Sequence, residues 1–598
     1  MARIHRLLLV VCVVAAGVSS AGDAHAQGDN ARYALAGGCY ALKSVAAGRV
    51  VSKAPDGRYT ASGGGEPFRM QATALGRYLF YGAKGDFMAA GASGPLPGVP
   101  APPLPLPVPV PGADPNVAVR SVAAPSPAAD WRVDVADGAF AISLPDSGRV
   151  LAVDTSGRLI AAPRGAGRSR FTFEPRSGCA RYPEIEIGAT GAPSRGASPW
   201  GAVSGLIDAH MHMMAFEFLG GRAHCGRPWH PYGVAYAMVD CPDHEPRGAG
   251  AVVENTISYG NPVGFHDTTG WPTFKDWPNH ASLTHEQSYY KWLERSWRAG
   301  QRVFVNLLVD NAVLCAVYPY KKNSCNEMDG VRLQNKRIRE LQDYIDAQNG
   351  GPGKGWFRIV TSPYEARRVI NQGKLAVILG IEVSKLFDCG VYLEQAECTA
   401  EQIDRRLDEV YAMGVRDMEL VNKFDNALAG VAGDNGTTGV VVNGGNKLET
   451  GKFWQMQHCD GHNHVSDREQ PALPLGRDAL AGNILDSFGG GAGTAPVYAA
   501  PPHCNARGLT PLGAHLVKRM IEKRMIIDPD HLSVRARQQL LDIVEKAGYS
   551  GIVSSHTWST PDSIPRIYRA GGFVTPYAGA SKDFVDVWRE TQVVRDPR

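Results

Sequence analysis

The sequence predicts an α/β chain in which a (β/α)8-type barrel follows a small all-β domain. Two observations support this prediction. Residues 31–180 contain short apolar strands separated by glycine turns. From residue 205 onward, apolar strands alternate with amphipathic helices, which is typical of a parallel sheet and a barrel. Because 598 residues exceed what one hydrophobic core usually holds, two or more domains are expected.

The first residues have the pattern of a secretory signal peptide. Arg3 and Arg6 precede the apolar run 7–18, and a stretch of small residues ends at Ala26. We expect residues 1–26 to be removed and the mature chain to be secreted or periplasmic. No later apolar run is long enough for a membrane span. The net charge of +3, with acids and bases interspersed, argues against nucleic acid or an anionic membrane as a partner.

The cysteines predict disulfide bonds. Of the 11 cysteines, Cys12 leaves with the signal peptide, and the others would enter an oxidising compartment. Zinc ligation by cysteine is the alternative, and the absence of paired CxxC spacing disfavours it. Spacing along the chain predicts the pairs Cys39–Cys179, Cys225–Cys241, Cys315–Cys325, Cys389–Cys398 and Cys459–Cys504.

The second domain, residues 205–598, is predicted to contain seven strands and the helices between them. Leu206, Ile207 and Ala209 suit a first strand that is buried on both faces. The predicted strands are 205–210, 302–310, 375–382, 417–422, 525–531, 551–556 and 571–577. The predicted helices are 285–299, 330–348, 362–372, 400–413, 511–523 and 533–547.

Potential metal ligands stand at the ends of four of these strands. A single buried histidine is more often a packed core residue than a ligand, and an isolated HxH is often a surface accident. On an extended backbone, however, His210 and His212 project to the same side. In a barrel, the carboxyl ends of the strands meet at one mouth. The sequence therefore predicts one metal site formed by His210, His212, Glu382, His531 and His556.

Five segments of the second domain carry a resemblance to a known family. They are LIDAHMH (206–212), AVILGIE (376–382), GVRDMELVNKFDNALAG (414–430), GLTPLGAHLVKRMIEKRMIIDPDHLS (508–533) and SSHTWS (554–559). In these segments the chain resembles the amidohydrolase superfamily, in particular the membrane or renal dipeptidase branch, peptidase M19. The resemblance covers nearly everything from residue 205 to the end.

The resemblance implies a secreted metal-dependent hydrolase with two divalent metal ions, zinc by analogy. The implied reaction is cleavage of an amide bond, in a dipeptide or a small amide, by a metal-bound hydroxide. It also implies a homodimer. By position, His210 and His212 would bind one ion, His531 and His556 would bind the other, and Glu382 would bridge the two ions.

The surroundings of these ligands follow the family in part. Asp208 and Asp528 are candidates for orienting the histidine rings. The family commonly has a substrate-binding histidine near Asn422, and an amide there can bind a carbonyl but carries no positive charge. Arg566 could pair with a substrate carboxylate, since a guanidinium matches that geometry. The family has HxD where this chain has HxH, so position 212 lacks one negative charge.

The family also implies an eighth strand that ends in an aspartate, which handles the proton of the attacking water. After residue 577 this sequence has a helix-like segment, DFVDVWRE, and no eighth apolar strand. Asp583, Asp586, Glu590 and Asp596 end no strand, so no catalytic residue is assigned. Because an open barrel would expose sheet edges, we expect a truncated or frameshifted sequence rather than a seven-stranded domain.

Residues 31–180 resemble the β-trefoil units of fascin-like and ricin-like modules. That resemblance implies binding of a carbohydrate or a surface, and a purely structural appendage is the alternative. The proline-rich insert 94–115 is interpreted as a loop within this domain, and residues 181–204 as the linker to the barrel.

Further alternatives remain open. The segment HCDGHNH, residues 458–464, is either a second metal site or a solvated insertion loop beside the barrel mouth. The whole protein could be a catalytically inactive binding protein, with a glycan-binding β module on a barrel scaffold. Within enzymes, a lactonase or another amidohydrolase is the alternative to a dipeptidase. Metal analysis and a substrate panel distinguish these functions.

Overall fold

The computed structural model describes residues 30–91, 116–193, 195–196, 202–238, 255, 285–459, 465–470, 496, 498–556, 558–576, 585–586 and 589. These residues form two compact units. The first holds the described residues up to Tyr182 together with 347–354, and the second holds the others. The predicted signal peptide and proline-rich insert lie outside the described residues and remain predictions.

The first unit is all-β, and each of its strand pairings is antiparallel. In the sheet, strands neighbour one another in the order β10-β11-β7-β6-β5-β8-β9-β12-β1-β2-β3, and β4 pairs with both β1 and β5. The strands are β1 (Cys39–Ser44), β2 (Arg49–Lys53), β3 (Tyr59–Ala61), β4 (Pro67–Ala74), β5 (Arg77–Gly82), β6 (Phe87–Ala90), β7 (Val117–Val122), β8 (Asp130–Ala136), β9 (Ala139–Ser143), β10 (Val150–Val153), β11 (Leu159–Ala162) and β12 (Arg170–Pro175).

Alternation of apolar and polar residues along these strands gives the first unit its own core. In β4, for example, Phe68, Met70 and Ala72 are buried while the residues between them are partly exposed. Trp131 is fully buried, and its indole nitrogen donates a hydrogen bond to the Met88 carbonyl at 2.7 Å. A buried indole donor needs such a partner. The predicted all-β domain is confirmed; its β-trefoil identity stays a prediction.

The second unit mixes strands and helices. Its strands are β13 (Leu206–Met211), β14 (Gln301–Asp310), β15 (Phe357–Ile359), β16 (Leu375–Val383), β17 (Val391–Tyr392), β18 (Gln395–Ala396), β19 (Val415–Glu419), β20 (Met456–His458), β21 (His503–Asn505), β22 (Ile526–Asp528), β23 (Val553–Ser554) and β24 (Phe573–Val574). Its helices are α1 (Val234–Ala237), α2 (Tyr290–Ala299), α3 (Ala312–Val317), α4 (Glu327–Gln348), α5 (Pro363–Asn371), α6 (Ala400–Ala412), α7 (Gly436–Thr450), α8 (Pro511–Glu522), α9 (Val534–Ala547) and α10 (Ile564–Arg569).

A parallel sheet organises the second unit. Its order is β13-β14-β16-β19-β22, with β15 paired to the start of β16. A parallel bridge between Ile527 and Ile552 continues from β22 toward β23, which pairs in parallel with β24. Each of the seven predicted strands is thus present and follows its predecessor in chain order, so the sheet is curled and barrel-like. The short β15 was not predicted from the sequence.

Burial differs along the sheet. Every residue of β16 is buried except Ile378, as expected for a strand covered on both faces. The prediction that the first strand is buried on both faces was wrong at its start. Leu206 is 59% exposed and Ile207 is 42% exposed, because β13 has a described neighbour, β14, on one side alone.

The helices begin where the sequence supplies capping residues. Thr399 caps α6 through a capping box with Gln402, and the Thr510 hydroxyl accepts a hydrogen bond from the Gly513 backbone to start α8. Each of these helices buries one apolar stripe, for example Leu516, Val517 and Met520 of α8. The six predicted helices are confirmed, and α2 and α4 differ most from their predicted starts.

Four predicted disulfides are present: Cys39–Cys179, Cys315–Cys325, Cys389–Cys398 and Cys459–Cys504. Such bonds persist in oxidising compartments, so they fit the predicted export. The fifth pair involves Cys241, which lies outside the described residues. Among the helices of the described residues, none is both long and apolar enough to cross a membrane. The question of an eighth strand falls on residues after 576, which the structure describes at three positions alone.

Candidate metal centre

The five predicted ligands lie at or just beyond the carboxyl ends of parallel strands. His210 lies in β13, His212 follows its end, and Glu382 lies near the end of β16. His531 is three residues beyond β22, and His556 is two residues beyond β23. His531 has a φ of 59°, in the left-handed region that residues other than glycine seldom adopt. The strand ends therefore bring ligands from four separate strands to one edge of the sheet.

Three of the histidines contact the carboxylate of Glu382, and the fourth, His556, contacts His531. Its Oε2 lies 3.2 Å from Nε2 of His210 and 2.9 Å from Nε2 of His212. Its Oε1 lies 3.0 Å from Nε2 of His531. Nε2 of His556 is 2.9 Å from Nε2 of His531, and the Nε2 atoms of His210 and His212 are 3.1 Å apart. One buried carboxylate thus stands between two pairs of imidazole nitrogens.

In three of the histidines the second ring nitrogen, Nδ1, lies beside an oxygen atom of the protein. Nδ1 of His212 lies 3.1 Å from the Leu307 carbonyl, and Nδ1 of His556 lies 3.1 Å from Oδ2 of Asp530. Nδ1 of His210 lies 2.8 Å from the Ser555 hydroxyl. A carbonyl and a carboxylate accept hydrogen bonds, so Nδ1 of His212 and of His556 carries the proton. In the neutral rings, Nε2 then presents a lone pair to the centre.

This arrangement fits a metal centre. Ring nitrogens whose lone pairs face one another at about 3 Å repel unless a proton or a cation lies between them. Potential ligand atoms lie within 4.8 Å of one another in the set His210, His212 and Glu382. The same holds for the set Glu382, Glu419, His531 and His556. Imidazole and carboxylate are common zinc ligands, and Glu382 belongs to both sets.

Burial and the charge of Glu382 together set the protonation of His210, His212 and His531. Burial lowers the pKa of His210 and the pKa of His531 to about 4, so both rings are neutral at pH 7. Burial also opposes protonation of His212, but the charge and hydrogen bond of Glu382 outweigh it and raise the pKa of His212. Burial alone would raise the pKa of Glu382, yet His212 and His210 hold that pKa well below its usual range. The carboxylate is therefore ionised and available to a cation.

Sequence reasoning missed Glu419, the last residue of β19. Its side chain is fully buried, beside His531 and His556. The predicted strand ran on to Asn422, and this misplaced its end by three residues. Burial, followed by the charges of Glu382 and Asp528, raises the pKa of Glu419 well above its ordinary value. Its position at a strand end was the signal that could have identified it.

Three buried aspartates, Asp417, Asp528 and Asp530, lie close to Glu419. Burial and the charge of Asp530 raise the pKa of Asp528 well above its ordinary value and that of Asp417 to about 8. Burial would also raise the pKa of Asp530, but the hydrogen bond and charge of His556 outweigh it and lower that pKa. Asp530 is therefore the ionised member of this group.

The predicted ring-orienting residues differ from the observed ones. Asp208 accepts a hydrogen bond from the backbone of His210, and Asp528 accepts one from the backbone of Asp530. The described hydrogen bonds assign the orienting role to Asp530, Ser555 and the Leu307 carbonyl instead. These partners are a loop residue, a hydroxyl and a backbone group, for which the sequence carried no distinctive pattern.

The two predicted substrate-contact residues lie in different surroundings. Asn422 is buried, and its amide nitrogen donates to Oε1 of Glu382 at 2.9 Å. Arg566 lies on α10, where its guanidinium binds Glu545 and Asp542, each at 2.7 Å. Contact of either residue with substrate remains a prediction. Asn422 has the more suitable position, because it touches the central carboxylate.

The segment HCDGHNH falls largely outside the described residues. His458 is exposed, and its Nδ1 lies 3.0 Å from the Ala500 carbonyl. Cys459 forms its disulfide with Cys504. His462 and His464 are not described, so a second metal site here stays a prediction.

Comparisons with known proteins identify no family for this chain. No protein-family model and no curated protein matches the chain. A crystal structure of an amidohydrolase from Pseudomonas aeruginosa is similar at 11% sequence identity with a TM-score of 0.27. The match covers 49% of this chain and 62% of the amidohydrolase, which is less than two thirds of its length. A likeness this weak assigns no function to the chain.

We expect Asp530→Asn to weaken metal binding by about 10- to 100-fold. Asp530 accepts hydrogen bonds from the backbone and the ring of His556 and, at 2.6 Å, from the Ser554 hydroxyl. An amide at this position carries no negative charge and offers one acceptor oxygen instead of two, so it would hold the protonated Nδ1 of His556 less firmly. Competition with a chelator measures the affinity. Asp542→Asn is the control, because that carboxylate is 70% exposed and should leave the affinity unchanged. Equal affinities in both variants would contradict the orienting role.

Proposed function

We propose that the protein is a secreted metal-dependent hydrolase that cleaves an amide bond in dipeptides or small amides. It would use two divalent metal ions, for which zinc is the first candidate. The observation that carries the proposal is the convergence of three histidine Nε2 atoms on the two oxygens of Glu382, with the Nε2 of the fourth, His556, 2.9 Å from that of His531. A carboxylate shared by two ions offsets part of their mutual repulsion, as sites with paired ions require. The resemblance to M19 dipeptidases supports the same assignment.

The residues around Glu382 are suited to holding metal ions for amide hydrolysis. Bound divalent ions would lower the pKa of a water molecule and polarise the scissile carbonyl. Asp530, Ser555 and Leu307 orient the rings, so little reorganisation is needed when ions bind. The parallel strand order supports a (β/α)8-type barrel for this unit. A β-trefoil-like first unit, a carbohydrate partner and a homodimer stay predictions.

Cationic groups beside the centre support a substrate with a free carboxylate. The Trp558 ring lies against the His531 ring, with centroids 4.1 Å apart. The Arg468 guanidinium carbon lies 4.4 Å from the centroid of Trp558, and the Lys423 ammonium lies 5.3 Å from it. Lys423 also pairs with Asp434, whereas Arg468 is exposed. A peptide carboxylate bound here would place its amide bond near His531, which favours a dipeptide over a lactone.

The test begins with the metal content of the purified, exported chain, measured by elemental analysis. We expect about two ions per chain and hydrolysis of dipeptides in a panel that also contains lactones. A dipeptide amidated at its carboxyl end should be the poorer substrate. Folded protein without stoichiometric metal would contradict the proposal and favour a binding protein. Two ions with turnover of lactones alone would favour the lactonase alternative.

A further inference from the structure

Glu419 is a buried acid whose oxygens have no hydrogen-bond partner within the described part of the chain. It is the last residue of β19, and it lies opposite Asp528, the last residue of β22. The nearest ring nitrogens are Nδ1 of His556, 3.7 Å from Oε1, and Nε2 of His531, 4.0 Å from Oε2. These distances are too long for hydrogen bonds. Both oxygens of a completely buried carboxylate are therefore available to another group.

A buried carboxylate without partners is costly, so the chain needs a reason to keep one at this position. The carboxylate of Glu419 belongs to two sets of atoms that could hold a cation. One set combines it with Glu382, His531 and His556, and the other combines it with His210, Asp528 and His556. In each set the ligand atoms lie within 4.8 Å of one another. Its oxygens thus face the metal centre rather than solvent or a donor.

The number of ligands and their charge also indicate that the centre needs a second carboxylate. The five ligands predicted from the sequence include a single carboxylate, and neutral histidines add no charge to offset two divalent ions. The ion beside His531 and His556 would have three protein ligands from that set when Glu382 is counted. Zinc commonly has four ligands. A carboxylate next to those two histidines supplies both the missing ligand and a second negative charge.

We propose that Glu419 is a ligand of the ion held by His531 and His556, which makes this centre a two-carboxylate site. The inference rests on the proposed metal-dependent function. It predicts that Glu419 is needed for the affinity of one ion and not for the other. If Glu419 is only a protonated acid within the core, its neutral isostere will bind metal as the native chain does.

The test is Glu419→Gln in the full mature chain, with Zn²⁺ alone as the probe. We expect one ion to bind as in the native chain and the affinity for the other to fall at least about 100-fold in chelator competition, beyond what loss of an outer contact gives. In cobalt-substituted protein, the visible absorption of one site should change. The metal-free variant should be at least as stable as the metal-free native chain, because an uncompensated buried acid is removed.

Asp417→Asn is the matched control. Asp417 lies two residues earlier on β19, so it projects to the same face as Glu419, and it is also buried. It belongs to none of the ligand sets formed by the described residues. We expect this variant to retain both ions with native affinity.

The outcomes separate the two proposals. Native affinity for both ions in Glu419→Gln, with an unchanged cobalt spectrum, overturns the role of Glu419 and leaves the hydrolase proposal intact. A native chain that binds no metal overturns both. If Glu419→Gln does not fold, Glu419→Asp gives the same information, because it keeps the charge but withdraws it from the centre. Its affinity for one ion should then fall, and unchanged affinity overturns the inference.

Discussion

Replacing Glu382 with alanine is expected to release both metal ions, whereas replacing His210 with alanine is expected to release one. The difference follows from the geometry of the carboxylate. Oε2 of Glu382 faces His210 and His212, and Oε1 faces His531. Nε2 of His210, in contrast, contacts Oε2 alone of the two carboxylate oxygens among the described contacts, beside His212. Elemental analysis after gel filtration distinguishes two, one and no bound ions per chain.

Turnover should fall by about a thousandfold or more in Glu382→Ala, since metal-centred charge stabilisation is worth several kcal/mol. Glu382→Gln separates charge from volume, because it fills the same space without the negative charge. Glu409→Ala is the control, as this glutamate pairs with Arg332 on the outer helices and should leave metal content unchanged. If Glu382→Ala retained one ion with native affinity, the carboxylate would not be the bridge.

The strand and helix order of the second unit was predictable because two periodic patterns are pronounced there. Apolar runs such as β16 and amphipathic helices such as α8 leave few alternative interpretations. The convergence of His210, Glu382 and His556 followed from the same order, since the carboxyl ends of parallel strands meet at one edge. Their role as ligands is still a prediction.

The parts that sequence did not predict are those that depend on tertiary position. Glu419 and Asp417 lie in the strand VRDME, in which three of five residues are charged, and such a composition usually indicates a solvated strand. Here the face that carries both acids points into the sheet interior, where they are buried. Asp530 lies in a loop, where an aspartate more often stabilises a turn than orients a histidine ring. Such contacts depend on neighbours that are distant in sequence.

The backbone conformation of His531 can be tested separately from the proposed ligand role of its ring. Its φ of 59° lies in the left-handed region, which costs about 1 kcal/mol or more for residues with a Cβ atom. The segment that follows β19 fixes its backbone, since the Ala432 amide donates to the His531 carbonyl at 2.8 Å. The ring is thereby directed at Glu382. Strain that persists at such a position is characteristic of functional sites.

Replacing His531 with glycine and, separately, with alanine tests this interpretation. Both variants lack the imidazole, so both should lose one metal ion and lower turnover by about a thousandfold, the effect of losing metal-centred charge stabilisation. In the metal-free state, however, the glycine variant should be about 1 kcal/mol more stable than the alanine variant, because glycine adopts positive φ without a steric cost. Urea denaturation measures the difference between them.

That comparison is informative because the two variants leave almost the same space behind, so their difference reports the backbone rather than lost packing. Equal stability would mean that the loop relaxes to a negative φ once the ring is absent, and that metal ligation alone holds the native conformation. Greater stability of the glycine variant would mean that the loop imposes the conformation before any ion binds. The centre would then be organised by the fold, with His531 already directed at Glu382 in the metal-free protein.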